Sequence, residues 1–321
     1  MPKYPHRYPH PQAFSLSRYI GGLNRSPVRP LHGRTLPFSG KIWAERSLSG
    51  FGGQTTESCL SVSDPIADTG VLRHIAPGGN YMSNPWARDR ATFFYLAFGL
   101  GGLAVVTLGF GVTYALPMVR RTFAAPWFVH LHGAAALAWI VLIIAQSVLV
   151  RAQRTPLHRE LGQGALLLAV LVWWSGIATA LWAAQRDFGE QGSAATSSLA
   201  GTVSGLSLYL ILVITALLFR RRADWHKRLM MLATIQLLWP AFFRLRHLFP
   251  AVPYPDISFA LVMAYSPILV AAVRDQLRYG KIHPVWLIVG PALVIEQCLE
   301  FAFFDRGPLK HFGWLLYHHS I

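Results

Sequence analysis

Five histidines fall where apolar runs begin or end. His130 and His132 open "HLHGAAALAWIVLIIAQ", His158 lies in "LHRELG", His226 in "RADWHKRLM" and His247 in "RLRHLF". A neutral imidazole is a nitrogen donor for haem iron and the side chain whose charge changes most readily near neutral pH. Two imidazoles facing each other across a helix bundle would supply both axial ligands of a six-coordinate b-type haem. His226 and His247 are 21 residues apart, about 31 Å along a helix, close to the hydrocarbon thickness of about 30 Å. One helix could therefore offer a ligand at each membrane face. The spacing predicts His158 with His226 at one face and His132 with His247 at the other, a transverse electron path. The plain alternative is an interfacial histidine that hydrogen-bonds orphan backbone groups or lipid phosphates.

Other polar groups surround this set. Gln146 follows His132 by 14 residues and falls within about 40° of it on a helix, together with Trp139 and Ile143, while His130 points away. Arg159, Arg228 and Arg244 supply cations for haem propionates or lipid phosphates, with Arg244 also placed to pair with Asp256. Ionisable groups at membrane depth cost about 2.5–3.5 kcal/mol on insertion scales, so Glu296 asks for a reason. With Gln146 it would mark the polar path of a proton-linked small-molecule transporter. Glu300 and Asp305 read as interfacial, Asp224 as a helix N-cap, and Trp127, Trp182 and Trp286 as interface anchors. The pair His318 and His319 reads as a solvated tail. Cys59 and Cys298 show no CxxC spacing, so neither a disulfide framework nor a zinc site is indicated. No P-loop, Rossmann, HExxH or GxSxG pattern occurs, and no catalytic residue is assigned.

The elements that must position these groups are membrane spans. Of 321 residues, 53% are hydrophobic and 13% charged, against about a quarter charged in soluble domains. Apolar runs long enough to cross a bilayer are expected over Ala91 to Met118, Trp127 to Val150, Leu161 to Ala184, Leu199 to Phe219, His226 to Leu248, Ile257 to Val273, and Pro284 to Phe304. The fold class is all-α, a polytopic transmembrane bundle of about seven spans in residues 89–321. "GLGGLAVVTLGFG" in the first run allows close helix packing, and Pro240 is expected to kink the fifth. Residues 1–88, rich in Pro, Gly, Ser and basic side chains, read as a disordered tail, with Met82 as an alternative translation start.

The net charge of +15 clusters at span ends, which speaks for anionic headgroups and against nucleic acid. Arg151, Arg154 and Arg159, then Arg220–Arg222 with Lys227 and Arg228, then Arg274, Arg278 and Lys281, follow alternate spans. That bias puts these connections and the N-terminus in the cytoplasm.

"HLHGAAALAWIVLIIAQ", "LHRELG" and "RADWHKRLMMLATI" together resemble a group of uncharacterised bacterial multi-pass membrane proteins. In that domain of unknown function, LHRxLG and HKRLM motifs open helices. The resemblance covers about Arg88 to Tyr317, implies a helical fold in a bacterial inner membrane, and brings no activity with it. A weaker similarity joins the histidine disposition to two-haem b-type cytochromes and "LHRELG" to ferric-reductase-like membrane domains. The fourth span departs from that pattern in holding no histidine. The functional expectation is an integral membrane protein that binds b-type haem as an electron-transfer module, with a redox partner or a homo-oligomer as its assembly. The alternatives are a non-enzymatic membrane protein or the transporter above. Cysteine-accessibility mapping should place positions 153 and 221 on the same, cytoplasmic side and position 190 on the other.

Overall fold

The computed structural model describes residues 85–319, so residues 1–84 of the expected tail, Met82 among them, lie outside the described residues, while its last four, 85–88, open the first helix. The described residues are helical, with no strand among them. Helix α1 (Pro85–Phe110) runs through a π-helical stretch, Gly111–Ala115, into the short α2 (Leu116–Val119). Then follow α3 (Trp127–Arg151), α4 (Thr155–Gln163), α5 (Ala165–Gln191), α6 (Ser193–Leu218) and α7 (Ala223–Arg244). A π-helical segment, Asp256–Met263, leads into α8 (Ala264–Tyr279), and α9 (Pro284–Phe303) and α10 (Gly307–His318) complete the fold.

Six segments among the described residues are long and apolar enough to cross a membrane: Thr92–Val119, Trp127–Arg151, Thr155–Gln191, Ser193–Leu218, Asp256–Tyr279 and Pro284–Phe303. The chain is a multi-pass membrane protein. The seventh expected span corresponds to α7, whose 22 residues give about 33 Å of helix. Asp224, His226, Lys227 and Arg228 dilute its apolar character. It tolerates them because it packs along α1, α6, α8 and α9, so protein covers much of its surface.

Polarity is arranged inside out. Leu167, Leu218, Leu269, Leu277 and Ile288 are more than half exposed, whereas Ser175, Thr234, Gln236, Asp275 and Gln297 are buried. Lipid is as apolar as leucine, so nothing drives leucine inward, while polar groups must find partners within the protein. Around α7, α3 packs on α1 and α5, and α5 packs on α6. Gly192, at φ 57°, turns the chain between α5 and α6.

The C-terminus differs from expectation. In place of a solvated tail, Gly307–His318 is a helix that packs on α6, where Gly313 lies against the Thr196 backbone. Pro308 in its first turn starts the helix, and Leu316 and Tyr317 pack against the cluster of Ala180, Ala184 and Leu199. His318 stacks on Trp314; both terminal histidines are exposed.

The glycines of α1 act as the sequence predicts. A Cβ at Gly109 would stand 2.5 Å from the Ala241 carbonyl oxygen, and one at Gly102 3.0 Å from Leu238 Cδ1. Gly101 meets nothing within 4 Å. Gly109→Val should therefore force α1 off α7 and cost about 1–3 kcal/mol, read as a lower melting temperature in detergent, while Gly101→Ala leaves it unchanged.

Candidate functional site

Three connections, residues 152–154, 219–222 and 280–283, meet at one end of the bundle, as alternation of the spans requires. Between them opens a cavity of about 1350 Å³. Its walls come from Tyr95 and Phe98 of α1, Trp139, Leu142 and Ile143 of α3, and Met231 of α7. Its polar groups are Gln146, His158, His226, Lys227, Arg278 and Lys281, with His283 and Asp224 at the rim. Of the face expected to join His132, Trp139, Ile143 and Gln146, the last three line the cavity and His132 does not.

His158 and His226, 68 residues apart in sequence, both line this cavity and lie within electrostatic reach of each other. His226 Nδ1 is 2.7 Å from the Ala216 carbonyl oxygen. A carbonyl can only accept, so Nδ1 carries the hydrogen, and in the neutral ring Nε2 then holds the lone pair, the tautomer of a metal-ligating histidine. His158 Nδ1 and Gln146 Oε1 are buried without a hydrogen-bond partner. Such orphans are uncommon in native proteins and ask for an explanation. Gln146 is held beneath α4, its Nε2 beside Gly162.

His283 is a third imidazole at the same place, and it carried no signal in the sequence beyond standing before Pro284. Its nitrogens are both engaged: Nδ1 accepts from the Val285 amide at 3.3 Å and Nε2 lies 3.1 Å from Asp224 Oδ2. Asp224 accordingly sits in the first turn of α7 and contacts His283, and the N-cap position belongs to Arg222. Lys227, half-buried, points its ammonium over the Tyr95 ring at 5.8 Å.

Arg228 is committed elsewhere. Its Nη2 is 2.7 Å from Asp275 Oδ2, with side-chain exposures of 4% and 2%, and its Nη1 donates to the Asp224 carbonyl. Trp286 Nε1 donates to the same Asp275 oxygen at 2.8 Å. This corrects the reading of Trp286 as an interface anchor; it is buried in the core. Asp275 was legible only as a lone acid among "AAVRDQLRYG". The triad ties α7, α8 and α9 together at the cavity floor. Arg159 is exposed on α4 and does not line the cavity.

The remaining histidines lie toward the opposite end. His132 is half-buried against α5, its Nδ1 3.2 Å from the Val172 carbonyl and 3.4 Å from Ser175 Oγ, its ring against Gly176. His247 is exposed in the turn Leu245–His247. Loss of solvent, then the Arg246 and Arg244 guanidiniums, hold its proton affinity below the usual histidine value. The structure does not join His132 and His247 as a facing pair. Arg244 donates to the Pro240 carbonyl and lies over the Phe110 ring at 4.3 Å; the charge Asp256 interacts with is Arg246. His130 meets the Tyr114 hydroxyl.

Gln146 and Glu296 do not share a path. Glu296 is absent from the cavity lining and accepts from Ser204 Oγ at 2.7 Å. Glu300, expected at the interface, is instead packed inward against Gly201, where a Cβ would overlap its carboxylate. Among the described residues no cluster of three or more His, Cys, Asp or Glu side chains suits a metal ion.

No protein family, curated protein or solved structure matches this chain.

The Arg228–Asp275 pair generates a stability test. Removing one partner of a buried ion pair costs about 3–5 kcal/mol, whereas removing both together is often near neutral. Arg228→Met or Asp275→Asn alone should sharply lower the melting temperature of the detergent-purified protein, and the double replacement should recover most of the loss.

Proposed function

We propose that this protein is a membrane-embedded binding protein for an apolar molecule bearing an anionic group, and that b-type haem held between His158 and His226 is that molecule. The observation that carries the reading is the convergence of these two imidazoles on one apolar-walled cavity. His226 presents a free Nε2, fixed in tautomer by the Ala216 carbonyl, and His158 has a buried nitrogen with no partner.

The surroundings fit a haem in three respects. The volume, about 1350 Å³, exceeds the roughly 300–1,000 Å³ typical of small-ligand pockets. Tyr95, Phe98, Trp139 and Met231 offer aromatic and polarisable walls for a macrocycle. Lys227 and Lys281 offer cations toward the aqueous end for propionates, a role for which the paired Arg228 has no charge to spare. When bound, haem supplies one-electron chemistry; the residues bind it, orient it and exclude water. The proposed role is an electron-transfer module with one haem site. The likeness to uncharacterised bacterial multi-pass proteins is in keeping with a bacterial inner-membrane location and an unidentified redox partner.

Full-length protein expressed with ample haem supply and purified in mild detergent should show a Soret band that shifts on reduction. His226→Ala and His158→Ala should each lose the six-coordinate spectrum while still eluting as folded protein. A folded wild-type preparation with no Soret band overturns haem as the ligand. If, in addition, mass spectrometry of its extract finds no co-purifying amphiphile, the binding reading itself fails.

A further inference from the structure

A second polar assembly lies inside the bundle, away from the cavity. Along α6, Ser197, Gly201 and Ser204 occupy one face, because steps of four and three residues return to within about 60° on a helix. Antiparallel to that face runs α9, which sets Glu300 against Gly201 and Glu296 against Ser204. Gln297 Nε2 donates to Glu300 Oε2 at 3.3 Å. The Tyr265 hydroxyl of α8 lies 3.2 Å from Gln297 Oε1 and 3.1 Å from Gln236 Oε1 of α7. Three helices, α7, α8 and α9, thus share the chain from Gln236 through Tyr265 and Gln297 to Glu300, and beside it α6 holds Glu296 through Ser204. Both carboxylates lie within the span Pro284–Phe303, flanked by the outward-facing Ile295 and Leu299.

Two features of this assembly are not explained by packing. Glu296 Oε2 is buried with no partner, and so is Ser197 Oγ, in a residue that is wholly inaccessible and sits one turn beyond Gly201 on the same face. Neither carboxylate has a basic partner among the described residues. The titratable groups within their electrostatic reach are each other and Tyr265, which Cys298 also approaches; α6 and α7 present serine, glycine and glutamine to this assembly. A bare pair of carboxylates in this setting would repel and lack hydration, so a neutralising species must accompany them. A protonated carboxyl adds the donor that the assembly lacks: Glu296 Oε2, once protonated, can give a hydrogen bond to the other carboxylate or to an orphaned oxygen.

We infer that Glu296 and Glu300 form a proton-binding site within the membrane layer, with Glu300 linked through Gln297 and Tyr265 to Gln236 of the central helix. The site takes up and releases one proton between the two carboxyls, with water at the α6–α10 end as source and sink. It is independent of the haem reading, since none of its members lines the cavity.

The test uses the full chain in proteoliposomes. Dicyclohexylcarbodiimide, which attacks protonated carboxyls in apolar surroundings, should modify the peptide holding Glu296 and Glu300 at near-neutral pH. Labelling should fall as pH rises, with no protection by sodium. Infrared spectra should show a carboxylic-acid C=O band over the same pH range, lost in Glu296→Gln/Glu300→Gln. No adduct on this peptide, or an adduct suppressed by sodium at constant pH, overturns the proposal. Because the labelling and the infrared titration are made on the wild-type chain, the test stands even if the variants fail to fold.

Discussion

A polar group inside a lipid layer can be satisfied only by the protein itself, and this rule organises the bundle. Helix α7 carries the largest share of such groups, from Asp224, His226, Lys227 and Arg228 at its start to Thr234 and Gln236 farther along. It consequently takes the central position. Arg228 finds Asp275 of α8, and Asp275 in turn receives Trp286 of α9. Thr234 accepts from Trp139 of α3 at 3.2 Å, and Gln236 meets Tyr265. These contacts join α7 to α8 at two levels, to α3, and through Asp275 to α9, so the least apolar of the long helices specifies which faces the others must turn inward. The glycines of α1 let that helix close on the remaining side of α7.

The same rule separates two polar regions of opposite character. At the end where three basic connections gather, imidazoles and cations surround a cavity whose walls are aromatic and aliphatic. Toward the middle and far half of the bundle, carboxylates and carboxamides form a compact group with no cation among the described residues. In the proposed readings the first region receives a molecule with an anionic end and the second holds a proton. The Arg228–Asp275 pair stands at the floor of the first region and cancels its own charge. Lys227 and Lys281 also line this region, toward the aqueous side.

Much of the fold was legible along the chain, because lipid imposes a length and a polarity on every span. The errors were instructive. Glu300 read as interfacial from its nearness to the span's end, yet Gly201, 99 residues earlier, leaves room for it to turn inward. Trp286 looked like an anchor at a span terminus and proved to be a buried donor. The C-terminal segment looked like a tail, since its apolar residues are too few to span a membrane. They are enough to cover α6. In the site, His158, His226 and Gln146 were visible from spacing, whereas His283 and Lys227 gained meaning only from the neighbours folding brings to them.

The sequence alone determined that the chain is a set of apolar helices with basic connections after alternate spans, since hydropathy, helix rise and charge bias are local properties summed over short windows. Which polar residues meet was decided by tertiary structure. Helix–helix contact in lipid depends on the rotation of each helix about its axis, and that rotation is set by small residues and partner groups dozens of positions away. A histidine at a span end looks the same in sequence whether it faces a cavity, as His226 does, a neighbouring helix, as His132 does, or solvent, as His247 does.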